Sequence, residues 1–186
     1  MNRIHIIGGK NHGKTRLLCE LVAEFRKRNL RVGTIKHTHH HHELDTPGKD
    51  SHRHCESGAS VVGILTRSMN AVFWPGPDAG SADEATPSET RYSGFATAFS
   101  GCHLVLVEGD TKTTAPKLEV WRAALETCPM AGRVLNVLAI VTDDPVETCR
   151  PVLRRDNIPA IADFLWHALR IHQDGNGQMA QFSPPN

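Results

Sequence analysis

The segment that most constrains the fold is Gly8-Gly9-Lys10-Asn11-His12-Gly13-Lys14-Thr15, which satisfies G-x-x-x-x-G-K-[ST]. Such a loop wraps a phosphate only between a strand and a helix, because its amides must converge inward while the helix dipole points at the anion. The flanks supply that context. Ile4-His5-Ile6-Ile7 is a short β-branched run. From Lys14 the apolar residues Leu17, Leu18, Leu21, Val22 and Phe25 recur as one helical stripe, with Arg16, Glu20, Glu24 and Lys27 on the other faces. Asn29 is a helix stop signal. Arg31 to Lys36 returns as a second strand, so the chain opens with a β-α-β unit and a parallel sheet follows.

The remaining chain continues the alternation. Residues 37–58 are polar and dense in His, Asp and Lys, with a short helix over Asp50–Ser57 ended by Gly58. Val61 to Leu65 and Ala71 to Trp74 read as strands, and Ser88–Ser100 carries a modest helical segment. Leu104-Val105-Leu106-Val107 is a continuous apolar run ending in Glu108-Gly109, as a buried parallel strand would. Leu135 to Val141 is another, closed by Thr142-Asp143-Asp144-Pro145. Ile158 to Ile171 is a C-terminal helix with Asp156 or Asn157 as its cap. The stretch from Pro75 to Glu89, rich in Pro, Gly, Ser and acidic residues, is a mobile loop or an insertion, and residues 173–186 read as a disordered tail. The expected architecture is a single α/β domain over residues 1–172, P-loop NTPase-like, with a mostly parallel doubly wound sheet and helices on both faces. Ligands of such sheets bind beyond the carboxyl ends of the strands. Gly8–Thr15, Lys36–Asp50, Glu108–Lys112 and Thr142–Asp144 all fall there.

Composition narrows the class of function. In 186 residues, 21 Lys+Arg face 20 Asp+Glu for a formal charge of +1, so no single-signed field recruits a polyanion, and nucleic acid is not an expected partner. Cys19, Cys55, Cys102, Cys128 and Cys149 are spread singly, which suits reduced thiols better than a disulfide framework or a zinc ribbon. No run is long and apolar enough for a signal peptide or a membrane span, so a soluble cytoplasmic protein is expected. The unusual count is histidine, 12 in all, crowded toward the front of the chain.

Each candidate residue has a chemical and a bland reading. Lys14 would reach β- and γ-phosphates as a point charge, and Thr15 would offer its hydroxyl to Mg²⁺. Glu108 would hold Mg²⁺ or polarise an attacking water, or else cap a neighbouring helix. Lys14 and Glu108 are thus the catalytic candidates, and Thr15 and Glu108 the metal candidates. Asp143 and Asp144 are either the carboxylates that accept from guanine N1 and N2, although no N-K-x-D is present, or an Asp-Asp-Pro turn. Lys36, Lys49 and Arg53, with Lys14 and Lys112, would form a cationic rim toward a substrate carrying several phosphates, or are ordinary solvated charge. His37, His39, His40, His41 and His42, with His52 and His54, are either a solvated loop or ligands for a transition metal. The second of these would make the chain a metallochaperone-type GTPase. A P-loop kinase for a small metabolite is a third class.

The segments Ile35-Lys36-His37, Asp45, Pro47-Gly48-Lys49-Asp50-Ser51-His52-Arg53 and Ser57-Gly58-Ala59, spaced as they are behind the P-loop, resemble the molybdopterin-guanine dinucleotide biosynthesis adaptor (MobB) family. The likeness continues at Leu104–Gly109, at Pro116-Lys117-Leu118-Glu119-Val120-Trp121-Arg122 and at Val141–Pro145, and so spans Ile4 to Leu169. The resemblance implies a protein, often dimeric, that binds GTP with Mg²⁺ and hydrolyses it weakly. It would assist a MobA-type guanylyltransferase in attaching GMP to molybdopterin. It also implies that Gly8–Thr15 hold the phosphates, that Glu108 is the acidic strand end, and that Asp45, Lys49, Asp50 and Arg53 form a second binding motif. The chain departs from the family pattern at His12 and Arg16, where Ser and Thr are usual. It departs again at His103 and over Glu108-Gly109-Asp110-Thr111-Lys112, where the family commonly reads E-G-F-K.

Overall fold

The computed structural model describes residues 1–38, 45–74 and 88–174. The chain divides into two compact units, one of residues 1–37 with 96 onward, the other of residues 38–95. The first unit carries a six-stranded sheet of β1 (Arg3–Ile7), β2 (Val32–Lys36), β5 (Leu104–Glu108), β6 (Lys117–Val120), β7 (Val137–Val141) and β8 (Val152–Leu153), in the order β2-β5-β1-β6-β7-β8. Every pairing in it is parallel. The P-loop NTPase-like parallel sheet with helices expected from the alternation of elements is the one observed, although α1 and α4 share one face of it.

Strand alternation sorts the side chains onto two faces. Ile4, Ile6, Leu104, Leu106, Leu118, Val120, Ala139 and Val141 point to one side, where they meet Leu17, Leu18, Leu21 and Phe25 of α1 (Lys14–Lys27) and Ile161, Ala162, Leu165 and Leu169 of α4 (Ile158–Asp174). The stripe read from the sequence is therefore the face that α1 buries. The helix ends where Asn29 takes a left-handed φ of 60°, and Asn157 caps α4 by accepting from the Ala160 amide at 3.1 Å. On the other side Ile7, Val137 and Ile140 pack with Trp121 and Ala131, under the segment that includes a 3₁₀ turn at Ala123–Leu125.

The second unit contains α2 (Asp50–Glu56), the antiparallel pair β3 (Val62–Leu65) and β4 (Asn70–Phe73), and α3 (Ser88–Ser93). The two apolar runs expected as strands do pair, with each other and not with the large sheet. The modest helix expected to run to Ser100 ends at Ser93. Two strands were not expected. β6 reads Lys-Leu-Glu-Val, a pattern of alternating charge that looks solvated, and β8 is only two residues long. The histidines 39–42 and most of the Pro75–Glu89 stretch lie outside the described residues, as does the tail from 175. Among the described residues no helix is long and apolar enough to cross a membrane.

Candidate functional site

The loop Gly8–Thr15 leaves the end of β1, the strand flanked by β5 and β6, and runs into α1. Gly8 is required by contact: with φ at 144°, a Cβ there would lie 2.3 Å from the carbonyl oxygen of Val120, so β6 presses directly on the loop. Gly13, φ 95°, is the residue before the helix, and no side chain caps the first turn. The first-turn amides of α1 are thus presented at a left-handed glycine, the arrangement that suits an anion.

The loop hydrogen-bonds to its own lysine. The Lys14 ammonium donates to the carbonyls of Gly8 at 3.0 Å and Gly9 at 2.7 Å. Burial lowers the Lys14 pKa from its ordinary value; the Glu108 charge opposes that and the Lys36 charge adds to it. Lys36 and Glu108 are register partners in β2 and β5, so both side chains stand on the α1 side of the sheet. The Thr15 hydroxyl donates to Glu108 Oε1 at 2.9 Å. A hydroxyl and a carboxylate oxygen held this close are hard donors of the kind Mg²⁺ prefers. Lys10 and Asn11 are exposed at the loop's tip, Asn11 with a φ of 68°.

His37 continues β2 by donating its amide to the Glu108 carbonyl at 2.9 Å. Its side chain belongs to the opposite face, 4.0 Å from Asp110, so it is not grouped with Lys14 and Thr15. Asp143 and Asp144 follow β7. Asp143 Oδ1 accepts from the Arg155 amide at 2.8 Å and Asp144 Oδ2 from the Ala123 amide at 2.8 Å, so each carboxylate ties down a loop with one oxygen. Asp45, Lys49, Asp50 and Arg53 are in the second unit. There Asp45 Oδ1 accepts from the Thr46 amide and the Ser51 hydroxyl, fixing the turn before α2, while Lys49, Asp50 and Arg53 are exposed. No group of three or more His, Cys, Asp or Glu residues able to hold a metal occurs among the described residues.

Several residues around the site take roles that the sequence does not signal. His12 was placed in the loop, yet its imidazole is 1% exposed and works as a brace. Its Nδ1 accepts from the Arg122 amide at 3.0 Å, so the neutral ring carries its proton on Nε2 and donates to Thr127 Oγ1, 3.1 Å away. Burial, then the charges of Lys14 and Arg122, lower its pKa and keep it neutral. Glu119, 1% exposed, accepts from the amides of Met130 at 2.6 Å and Ala131 at 2.8 Å. Burial nonetheless raises its pKa. Arg155 reaches Glu20 of α1 at 2.6 Å. Burial alone would push the Glu20 carboxyl up, but hydrogen bonds from Arg155 and Arg16 outweigh it and hold the pKa down. For Glu119 the sequence signal is the block Pro116–Arg122, which carries part of the family likeness.

Comparison with known proteins points to one family. The family model for MobB, described as "Molybdopterin guanine dinucleotide synthesis protein B", matches residues 3–143. A molybdopterin-guanine dinucleotide biosynthesis adapter protein of Haemophilus influenzae is 36% identical over 160 residues, covering 86% of this chain and 85% of that protein. Its counterpart in Escherichia coli is 29% identical over 154 residues, covering 82% and 85%. A crystal structure of molybdopterin-guanine biosynthesis protein B superposes with a TM-score of 0.65 at 26% identity, over 90% of this chain and 99% of that one. A MobB homologue from Bacillus stearothermophilus superposes at 0.63 with 21% identity, over 92% and 99%, a likeness of fold.

Proposed function

The chain belongs to the MobB family, and on that premise we propose that it is a GTP-binding adaptor in the synthesis of molybdopterin guanine dinucleotide. The carrying observation is the strand-loop-helix with Lys14, Thr15 and Glu108 grouped at its mouth. In the proposed cycle the Lys14 ammonium leaves the Gly8 and Gly9 carbonyls and takes up the phosphate oxygens, while the loop amides and the α1 dipole hold the rest of the chain of phosphates. Thr15 and Glu108 would hold Mg²⁺, which when bound neutralises phosphate charge. Glu108 otherwise retains its contact to Thr15 and orients water for a weak hydrolysis. Asp143 and Asp144 keep one carboxylate oxygen each for guanine N1 and N2. Lys36 extends the cationic side of the phosphate site, and Lys49 and Arg53 with Asp45 and Asp50 supply the family's second motif on their own unit.

The partners are a MobA-type guanylyltransferase and molybdopterin, acting in the cytoplasm, and the protein works as a homodimer. Support for self-association comes from β3 and β4. Val61, Leu65, Val72 and Trp74 share one face of that two-stranded sheet and are all exposed, Leu65 by 85%. A hairpin of this size is marginal in water without a cover for its apolar side. The metallochaperone reading gains no support among the described residues. The test is calorimetric titration of GTP and ATP with Mg²⁺, followed by transferase assays on molybdopterin with and without the protein. Binding that prefers GTP, and faster dinucleotide formation by the transferase, are the expected results. Rapid turnover dependent on a small-molecule acceptor would instead make the chain a kinase.

A further inference from the structure

Arg122 follows β6 in an extended conformation, and its guanidinium lies along the last glycine of the phosphate loop. A Cβ on Gly13 would be 3.3 Å from Arg122 Nη2 and 3.7 Å from its Cζ. The residue is exposed, and among the described residues nothing hydrogen-bonds to or pairs with its guanidinium. A cation parked beside the N-terminus of a helix, where the dipole is itself positive, is placed against the local field. An anion at that terminus would be attracted by both. The position is also enforced. The Arg122 amide is held by the buried imidazole of His12, inside the loop itself, and β6 meets the loop again where the Val120 carbonyl touches Gly8. Glu119, one strand position from Val120, locks the segment after Arg122 through the Met130 and Ala131 amides.

We propose that Arg122 is a phosphate-contacting residue of the nucleotide site, closing on the phosphate chain from the β6 side as Lys14 does from within the loop, and that His12 is its positioning residue. The inference rests on the nucleotide-binding reading above. Guanidinium and phosphate form parallel charge-assisted hydrogen bonds that an ammonium cannot reproduce, so arginine and lysine are distinguishable here. His12 sets where the guanidinium starts from, because its Nδ1 is the acceptor for the Arg122 amide. An asparagine at that position offers an acceptor in nearly the same place, whereas leucine offers none.

The test is binding of GTP, GDP, inorganic triphosphate and guanosine, each with Mg²⁺, to the full chain and to Arg122→Gln, Arg122→Lys, His12→Leu and His12→Asn. Thermal melts provide the fold control. Arg122→Gln is expected to weaken GTP and triphosphate on the order of tenfold, the loss of one charge-assisted contact, and to leave guanosine unchanged. Arg122→Lys should recover part of it. His12→Leu should weaken the same phosphate ligands, with partial rescue in His12→Asn. Equal GTP affinity in Arg122→Gln and the unaltered protein would overturn the inference. So would a parallel loss of GTP and guanosine, which would mark Arg122 as merely structural. Failure of the unaltered protein to bind GTP or triphosphate would instead bring down the nucleotide-binding reading, and this inference with it.

Discussion

At the scale of single residues, Lys14 separates binding from folding. Its ammonium is held by two loop carbonyls, contacts that water replaces at little cost on a partly exposed loop. Lys14→Ala should therefore abolish GTP binding and change the melting temperature by no more than a few degrees; calorimetric titration paired with circular dichroism checks both, and undiminished affinity would refute the role. His5 makes the opposite kind of prediction. It is fully buried, accepts from Arg3 Nε at 3.2 Å, and donates to the Gly109 carbonyl at 3.1 Å. Burial lowers its pKa from 6.5 to about 4; the charges of Arg3 and Lys117 push the same way, while the Gly109 carbonyl and Asp110 partly offset them. The folded state thus prefers the neutral ring. Stability from this group is complete above pH 6.5 and is lost as the pH falls toward 4, on the order of 3 kcal/mol in full. Glu119, with its raised pKa, works against this trend from the low side. Urea unfolding at pH 7 and pH 4.5 should show a smaller acid loss in His5→Asn than in the unaltered protein, and an identical loss in both would exclude His5 as the cause. The phosphate-loop residues were legible in sequence because their spacing is dictated by a ligand. His12 was read as a loop residue because its partners, Arg122 and Thr127, are 110 and 115 positions away.

Among the elements, α1, β1, β2, β5, β7 and α4 were legible because their apolar residues repeat at the period of the structure they form. β6 was not, for a physical reason that also yields a prediction. Lys117 and Glu119 are buried at alternate positions opposite Leu118 and Val120, so the strand is apolar on one face and internally ionic on the other. The Lys117 ammonium is satisfied by the carbonyls of Thr113 at 2.5 Å, Ala115 at 3.0 Å and Leu135 at 3.1 Å, which clamp the turn before β6 to the approach of β7. Lys117→Met fills similar volume but strands those oxygens. It should lower unfolding free energy by about 3 kcal/mol or more in urea titrations, since each orphaned buried acceptor costs about 1–3 kcal/mol. A change below about 0.5 kcal/mol would mean that the carbonyls find water and that the clamp is dispensable. Sequence pattern scores such a strand as surface, because it counts charges and not the carbonyls and amides that hydrogen-bond to them.

For the whole molecule, the division into two units matters more than the length of the chain suggested. The polar region after β2, with its two apolar runs, builds a unit of its own, and its strands were read correctly without their pairing being visible. If the exposed face of β3 and β4 is covered by a second copy, Leu65→Lys should shift the protein toward monomer in sedimentation velocity at micromolar concentration. GTP affinity should be unchanged, because no residue assigned to the nucleotide lies on that face of the hairpin. A variant that sediments like the unaltered protein would remove the hairpin as the dimer contact. The position of β1 carries a further consequence. As an inner strand held on both edges, it belongs to the part of a domain whose amides exchange with deuterated solvent last, through near-global opening and not local fraying. The loop it carries is anchored on one side to this inner strand and on the other to a long helix packed against α4. Local openings elsewhere, in β8 or in the hairpin unit, can therefore come and go on their own clocks while the phosphate loop keeps its shape.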